Sequence, residues 1–217
     1  MKIILISDTH RCIDGLIEMP KADMIIHAGD FCNDGSVEDT MVFNKWFCQL
    51  PYKYKIVVAG NHDRIFEYEP SLARSLLDPH IIYLQDEMVE IEGIKFYGSP
   101  HSRPFCNWAF NRTEEEMDVL FSKIPENIDV LITHTPPFGI LDDSGRNKDL
   151  GSQSLLKHIQ RVRPRVNIFG HIHNSRNQFV DNERNIKYYN VSICNEIYEP
   201  VNPPTQIQIR RRPKNVI

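Results

Sequence analysis

The chain begins with Lys2-Ile3-Ile4-Leu5-Ile6-Ser7, and Asp8-Thr9-His10 follows at once. An apolar run without polar alternation is typical of a strand buried on both faces, as in the parallel sheets of layered α/β proteins. Further apolar runs, each ending in a polar cluster, lie at residues 22–28, 55–59, 128–133 and 166–169. The sequence therefore predicts an α/β fold, a layered, mixed β-sheet sandwich flanked by helices.

Helical segments are predicted between these strands, at residues 37–50, 113–124 and 152–162. Thr113 precedes three glutamates, a combination that caps a helix and places acids at its positive end. Residues 87–98 predict a hairpin around Gly93, and the alternating segments 186–191 and 206–210 predict a closing antiparallel edge. Because no linker divides the chain, we predict one domain spanning residues 1–217.

The composition indicates an ordinary globular protein. The chain is 41% hydrophobic and 25% charged, which excludes disorder, and no apolar run reaches the roughly 18 residues of a membrane span. The initial apolar run is too short for a signal peptide, and the five cysteines form no CxxC pair, so we expect a cytoplasmic protein with reduced thiols. A net charge of −4 argues against a surface made for duplex nucleic acid. The basic residues 210–214 are interpreted as a solvated end, and the oligomeric state stays open.

Polar clusters follow the predicted strands, at the point where each strand ends. The clusters are Asp8-Thr9-His10, Gly29-Asp30, Gly60-Asn61-His62-Asp63, Thr133-His134 and Gly170-His171-Ile172-His173. Because the carboxyl ends of strands in an open α/β sheet face one crevice, we expect these clusters to converge. Imidazole and carboxylate donors without thiolate suit divalent Mn, Fe, Zn or Ni. The donors are too many for one ion, so the sequence predicts a dinuclear site.

In this order, the five clusters resemble the motif blocks of the calcineurin-like metallophosphoesterases. Four stretches are further similar to the metallophosphoesterase domain-containing (MPPED-type) phosphodiesterase subgroup: Gly98-Ser99-Pro100, Trp108-Ala109-Phe110, Thr133-His134-Thr135-Pro136-Pro137 and Gly139-Ile140-Leu141-Asp142. The chain departs from that subgroup at Asn174, where an acidic residue is expected, and at Gly151-Ser152, where a Gly-Cys pair is expected. The departures concern the substrate preference and leave the predicted ligands complete.

The resemblance implies which residues bind the two divalent ions, with Mn²⁺ favoured over Fe, Zn and Ni. One ion would be held by Asp8, His10 and His173. The other would be held by Asn61, His134 and His171, and Asp30 would bridge the two.

The resemblance also implies roles around the substrate. His62 would protonate the leaving oxygen, a contribution typically worth about 10²- to 10⁴-fold, and Asp63 would orient it. A hydroxide bridging the two ions would attack phosphorus in line with the leaving group. Arg64 has a guanidinium suited to a phosphate oxygen, and His101 directly follows a predicted strand, so both are candidate substrate contacts.

We therefore expect a dinuclear metal-dependent phosphoesterase that hydrolyses a phosphodiester, with a cyclic nucleotide or a similar small diester as its small-molecule partner. The same site could serve a phosphomonoesterase or protein phosphatase, or a nuclease, for which nucleic acid would be a substrate only. A non-catalytic scaffold of the same fold is the fourth alternative, and it is disfavoured because no predicted ligand is missing.

Overall fold

The first of two β-sheets is built mainly from the early part of the chain. The computed structural model describes residues 1–13 and 19–212. The strands of this sheet are β1 (Lys2–Ile6), β2 (Met24–Ala28), β3 (Tyr54–Val58), β4 (Ile81–Tyr83) and β11 (Thr205–Gln208). They lie in the order β11-β1-β2-β3-β4, with β1 to β4 parallel and β11 antiparallel to β1.

The second sheet is built from the middle and late parts of the chain. Its strands are β5 (Glu87–Ile91), β6 (Ile94–Ser99), β7 (Val130–Thr133), β8 (Val166–Phe169), β9 (Asn177–Asp181) and β10 (Ile186–Asn190). Their order is β5-β6-β7-β8-β10-β9. The inner strands β6, β7, β8 and β10 are parallel, and the edges β5 and β9 are antiparallel to their neighbours.

Helices cover the outer faces of both sheets. They are α1 (Val37–Gln49), α2 (Ile65–Tyr68), α3 (Pro70–Leu76), α4 (Glu114–Ser122) and α5 (Gln153–Val162). Ser36 and Ser152 cap α1 and α5 by accepting a backbone N–H, and Thr113 forms a reciprocal capping box with Glu116 at the start of α4. None of the helices in the described part of the chain has the length and apolar character needed to cross a membrane.

The core explains why the strand sequences do not alternate. Ile3 and Leu5 of β1 pack between the two sheets, whereas Ile4 and Ile6 pack against the helices on the outer face. The second sheet is covered on its outer face in the same way by α4 and α5. Four layers result, helix, sheet, sheet and helix, so both faces of each central strand are buried. The predicted fold class is confirmed.

The late part of the chain pairs differently from the prediction. Residues 186–191 and 206–210 were expected to form one antiparallel edge. Instead β10 lies inside the second sheet, parallel to β8, and β11 belongs to the first sheet. Burial alternates along β11, whereas β10 has buried side chains on both faces, so the sequence alternation does not identify the partner strand. In the basic end, Arg212 donates to Asp129 Oδ1 at 2.8 Å, and Lys214 lies outside the described residues.

Candidate active site

The two sheets are joined by hydrogen bonds at the carboxyl ends of their parallel strands, beside the predicted clusters. The N–H of Ser7, directly after β1, donates to Val191 O at 3.1 Å, and the N–H of Ile193 donates back to Ser7 O at 2.9 Å. This short parallel bridge brings the ends of β1, β2 and β3 against the ends of β7 and β8. The polar clusters that follow these strands therefore meet at one seam.

The backbone at this seam adopts an uncommon conformation. Four of the predicted ligands have positive φ angles: Asp8 (52°), His10 (43°), Asp30 (56°) and His171 (68°). Positive φ is uncommon outside glycine, although Asp, Asn and His tolerate it better than most residues. Such conformations concentrate at functional sites, where the surrounding structure maintains them.

One half of the cluster contains Asp8, His10 and His173. His173 Nε2 lies 3.5 Å from Asp8 Oδ1 and 3.3 Å from His10 Nε2. One ligand atom from each of the three residues lies within 4.8 Å of the others. Asp8 is fixed independently by hydrogen bonds from the hydroxyls of Ser7 and Ser192 and from the backbone N–H of His171.

The other half contains Asp30, His134 and His171, whose ligand atoms also lie within 4.8 Å of one another. His134 Nε2 is 3.3 Å from Asp30 Oδ2 and 2.9 Å from Asn61 Oδ1. The same Asp30 oxygen is 3.9 Å from His10 Nε2. Asp30 therefore lies between the two halves, and all seven predicted ligands are gathered in one place.

Backbone carbonyls set the orientation of two rings. The Nδ1 atoms of His134 and His173 are 3.0 Å and 2.9 Å from the carbonyl oxygens of Ala28 and Asn195. Because a carbonyl only accepts, each Nδ1 carries the hydrogen, and Nε2 faces the carboxylates. This is the arrangement in which metal-binding histidines are usually held.

The two buried carboxylates are kept charged by the histidines. Burial by itself would raise the pKa of Asp8 and Asp30. For Asp8 this is outweighed by His173, and for Asp30 by His134 and His62, so both pKa values lie below the usual range. Two neighbouring carboxylates that stay ionised in a buried site provide strong attraction for cations.

The histidines divide into two kinds. Burial lowers the pKa of His10 to about 4, and burial together with His134 lowers that of His171 to about 3. Burial also opposes the charged forms of His134 and His173, but Asp30 raises the pKa of His134 to about 9 and Asp8 raises that of His173 to about 8. Near neutral pH the rings of His10 and His171 are therefore neutral, whereas those of His134 and His173 are protonated on both nitrogens and positively charged.

Gly170 makes room for the Asp8 carboxylate. A Cβ at this position would overlap Asp8 Oδ2 and Ser7 Oγ. We expect Gly170→Ala to weaken divalent-cation binding by about 10- to 100-fold, because Asp8 would have to move although no ligand is removed. Isothermal calorimetry measures the change. Gly139→Asn is the matched control, since a Cβ at Gly139 meets nothing within 4 Å and asparagine tolerates its positive φ of 74°. Equal affinities of the two variants would contradict the expectation.

His62 lies beside the cluster, between aromatic neighbours. Its ring centroid is 4.7 Å from that of His10, and it stacks on Trp108 at 4.0 Å. Its Nδ1 bonds to the carbonyl of Asn33, and its backbone N–H donates to Asp30 Oδ1 at 2.8 Å. The ring is therefore held in place, with one nitrogen already engaged.

Asp63 does not take the position that was expected for it. Its carboxylate accepts backbone N–H groups from Asp30, Cys32 and Gly60 at 2.7–2.9 Å. The prediction that Asp63 orients the His62 ring is corrected, because the Asn33 carbonyl does so. Asp63 instead fixes the backbone of two ligand loops.

The two predicted substrate contacts lie in different environments. His101 is buried, and its Nε2 is 2.7 Å from Asp86 Oδ2, so its ring contacts a carboxylate inside the protein. A substrate contact by His101 stays a prediction. Arg64 is half-buried, with its guanidinium 4.6 Å from the Trp108 ring centroid and bonded to Asn107 O. A phosphate contact by Arg64 stays a prediction.

Several groups at the site had no signal in the sequence. The carbonyls of Asn33, Ala28 and Asn195 orient rings, and no side-chain motif marks a carbonyl. Tyr198 lies near the cluster, with its ring centroid 4.6 Å from that of His10. Its sequence neighbours resemble no motif block, so only the fold reveals its place.

The donor set fits divalent cations. It offers imidazole nitrogens and carboxylate and amide oxygens at the distances given above, the set that borderline divalent metals prefer. The buried carboxylates and the backbone-held rings are already in place, so little rearrangement is needed for binding.

The family comparison agrees with this geometry. Residues 1–175 match the family described as Calcineurin-like phosphoesterase. Metallophosphoesterase domain-containing protein 1 of Homo sapiens is 38% identical over 234 residues, covering 96% of this chain and 71% of the relative. This chain belongs to the calcineurin-like phosphoesterase family. The predicted family resemblance is thereby confirmed.

Other relatives of this phosphoesterase extend the comparison. The UPF0046 protein K07C11.7 of Caenorhabditis elegans is 36% identical over 210 residues, 90% of this chain and 71% of that protein. The crystal structure of TT1561 of Thermus thermophilus superposes with a TM-score of 0.64 at 12% identity, covering 96% of this chain and 99% of that one, and shows the shared fold. Family and cluster together make the chain a metal-dependent phosphoesterase with a divalent metal centre.

Proposed function

We propose that this phosphoesterase hydrolyses small phosphodiesters, with cyclic nucleotides as the leading substrate class. The observation that carries the proposal is the position of His62 beside the cluster. One of its ring nitrogens is bonded to Asn33 O, which leaves the other for a proton transfer. An alkoxide leaving group, such as the ribose oxygen of a cyclic nucleotide, needs such a proton.

The seven clustered residues would hold two divalent cations, Mn²⁺ being favoured. Asp8, His10 and His173 would bind one, Asn61, His134 and His171 the other, and Asp30 would be shared. When bound, the cations supply Lewis-acid stabilisation of the phosphoryl oxygens and lower the pKa of water. The Ala28 and Asn195 carbonyls hold His134 and His173 with Nε2 toward Asp30 and Asp8, where these nitrogens would bind the cations.

Charge supports a diester over a monoester. In the described residues, the clusters that could hold a cation offer aspartate and histidine side chains, with Asn61 beside them. The nearby guanidinium of Arg64 contacts the Trp108 ring and donates one hydrogen bond, to Asn107 O. A diester carries a single negative charge, whereas a monoester near neutral pH approaches two, so the diester needs less positive charge from the protein.

A substrate screen tests the proposal. The Mn²⁺-loaded protein would be assayed on bis-p-nitrophenyl phosphate, p-nitrophenyl phosphate, 3′,5′- and 2′,3′-cyclic nucleotides, a phosphopeptide and a single-stranded oligonucleotide. We expect kcat/KM to be highest among the small diesters. A large preference for the monoester, the phosphopeptide or the oligonucleotide would overturn the proposal, as would no hydrolysis of any ester.

Cation binding is expected to strengthen as the pH rises. His134 and His173, whose pKa values are about 9 and 8, must each release the Nε2 proton before that atom can bind a cation. Below pH 8 both rings are protonated and compete with the metal. Anaerobic calorimetric titration with Mn²⁺ between pH 6.5 and about 8.5, in buffers of different ionisation enthalpy, measures the affinity and the protons released. An affinity that is constant over this range would contradict the assignment.

A further inference from the structure

Tyr198 borders the metal cluster from the late part of the chain. Its ring stands perpendicular to those of His10 and His173, with centroids 4.6 Å and 5.8 Å away, and 6.2 Å from that of His62. The residue is nevertheless 45% exposed. One aromatic side chain thus contacts the cluster and also opens to solvent.

The turn that carries Tyr198 is tied to the cluster. The Asn195 side-chain oxygen accepts the N–H groups of Ile197 and Glu199, and the Asn195 carbonyl accepts from Tyr198 N and from His173 Nδ1. The same turn therefore orients a predicted ligand and positions the tyrosine ring.

The backbone of Tyr198 also indicates a specific role. Its φ angle is +61°, which is a real outlier for a bulky side chain. Conformations of this kind persist where the surrounding structure over-determines them, and they cluster at binding and active sites. The Asn195 hydrogen bonds provide that constraint here.

Trp108, the other aromatic side chain described at the site, packs against its neighbours. Trp108 stacks on His62 and also contacts the guanidinium of Arg64. Its ring therefore supports neighbouring side chains. Of the two residues, Tyr198 is the more exposed, because Trp108 is half-buried.

We propose that Tyr198 is a specificity-determining residue whose ring packs against an aromatic or nucleobase group attached to the substrate phosphate. This inference rests on the proposed function and deepens it. Packing of a base on an aromatic side chain tolerates different bases, because every base has a π-face. The preferred substrates would then be phosphate esters with a planar aromatic group, largely independent of which base it is.

Binding of two phosphonates tests the proposal without turnover. Phenylphosphonate and methylphosphonate share the anion and differ in the aromatic group. We expect the Mn²⁺-loaded wild type to bind phenylphosphonate about 5- to 30-fold more tightly, measured by calorimetry. Tyr198→Asn should abolish this preference, because asparagine tolerates the positive φ but lacks the ring. Tyr198→Phe, which keeps the ring, should retain it.

Ile197→Ala is the matched control, since Ile197 is 72% exposed on the same turn. Metal content is measured for every variant. If Tyr198→Asn keeps the phenyl preference with metal bound, or if Tyr198→Phe loses it as fully as Tyr198→Asn, the ring is not the determinant and the inference fails. If the variants behave as expected but the wild type cleaves no diester, the proposed function fails while the aromatic subsite stands.

Discussion

Asp30→Asn is expected to lose bound metal and activity together. Asp30 lies between the two halves of the cluster, 3.3 Å from His134 Nε2 and 3.9 Å from His10 Nε2. The change removes one of the two buried negative charges and leaves His134 without its charged partner. Removing one member of a buried ion pair costs about 3–5 kcal/mol of stability. Because even residues that only orient metal ligands typically cost about 10- to 100-fold in metal affinity or activity, we expect kcat/KM to fall by at least about 10²-fold. Elemental analysis and steady-state rates on bis-p-nitrophenyl phosphate measure the two losses.

Asp34→Asn is the matched control for Asp30. Asp34 is an exposed aspartate four residues further along the same loop, so the substitution removes the same charge away from the cluster. It should retain metal and activity. If Asp30→Asn keeps both the metal content and the rate of the wild type, Asp30 is not shared between two cations.

His62→Ala is expected to lower turnover according to the leaving group. Without His62 the leaving oxygen receives no proton from the protein, so poor alkoxide leaving groups should slow by about 10²- to 10⁴-fold. p-Nitrophenolate leaves readily without a proton, and its release should change little. The measurement compares kcat on phosphodiesters with a methoxide leaving group and on phosphodiesters with a p-nitrophenolate leaving group, and metal content is measured in parallel.

His80→Ala provides the control for removing an imidazole, because the His80 side chain is 89% exposed. If His62→Ala retains metal and its kcat falls equally on both kinds of ester, the prediction that His62 is the proton donor is contradicted. Loss of metal from this variant would place His62 among the ligands, which its proximity to His10 and Asp30 makes a real alternative.

The strands and the cluster could be predicted because burial on both faces leaves a direct trace in the sequence. A run such as residues 2–7 cannot alternate when helices cover one face of its sheet and the second sheet covers the other. The polar residue at the end of each such run then marks the edge of the sheet. Neighbouring parallel strands place those edges together, which is why distant ligands could be grouped from the sequence.

Other features left no such trace. β4 has three residues and β9 is an exposed edge strand, so neither shows the pattern of a buried strand. The partners of β10 and β11 depend on tertiary packing. The role of Asp63 was mistaken for the same reason, because the sequence places a side chain near a site but does not show which backbone groups it meets.

The left-handed corners at Asp8, His10, Asp30 and His171 have an evolutionary consequence. Asp, Asn and His combine a donor atom with tolerance of that conformation. Glutamate or cysteine would keep a donor atom, but the left-handed backbone conformation would cost roughly 1–2 kcal/mol at each of these positions. Drift toward a softer, thiolate-bound cation is therefore opposed by the main chain itself, whichever metals the cell makes available.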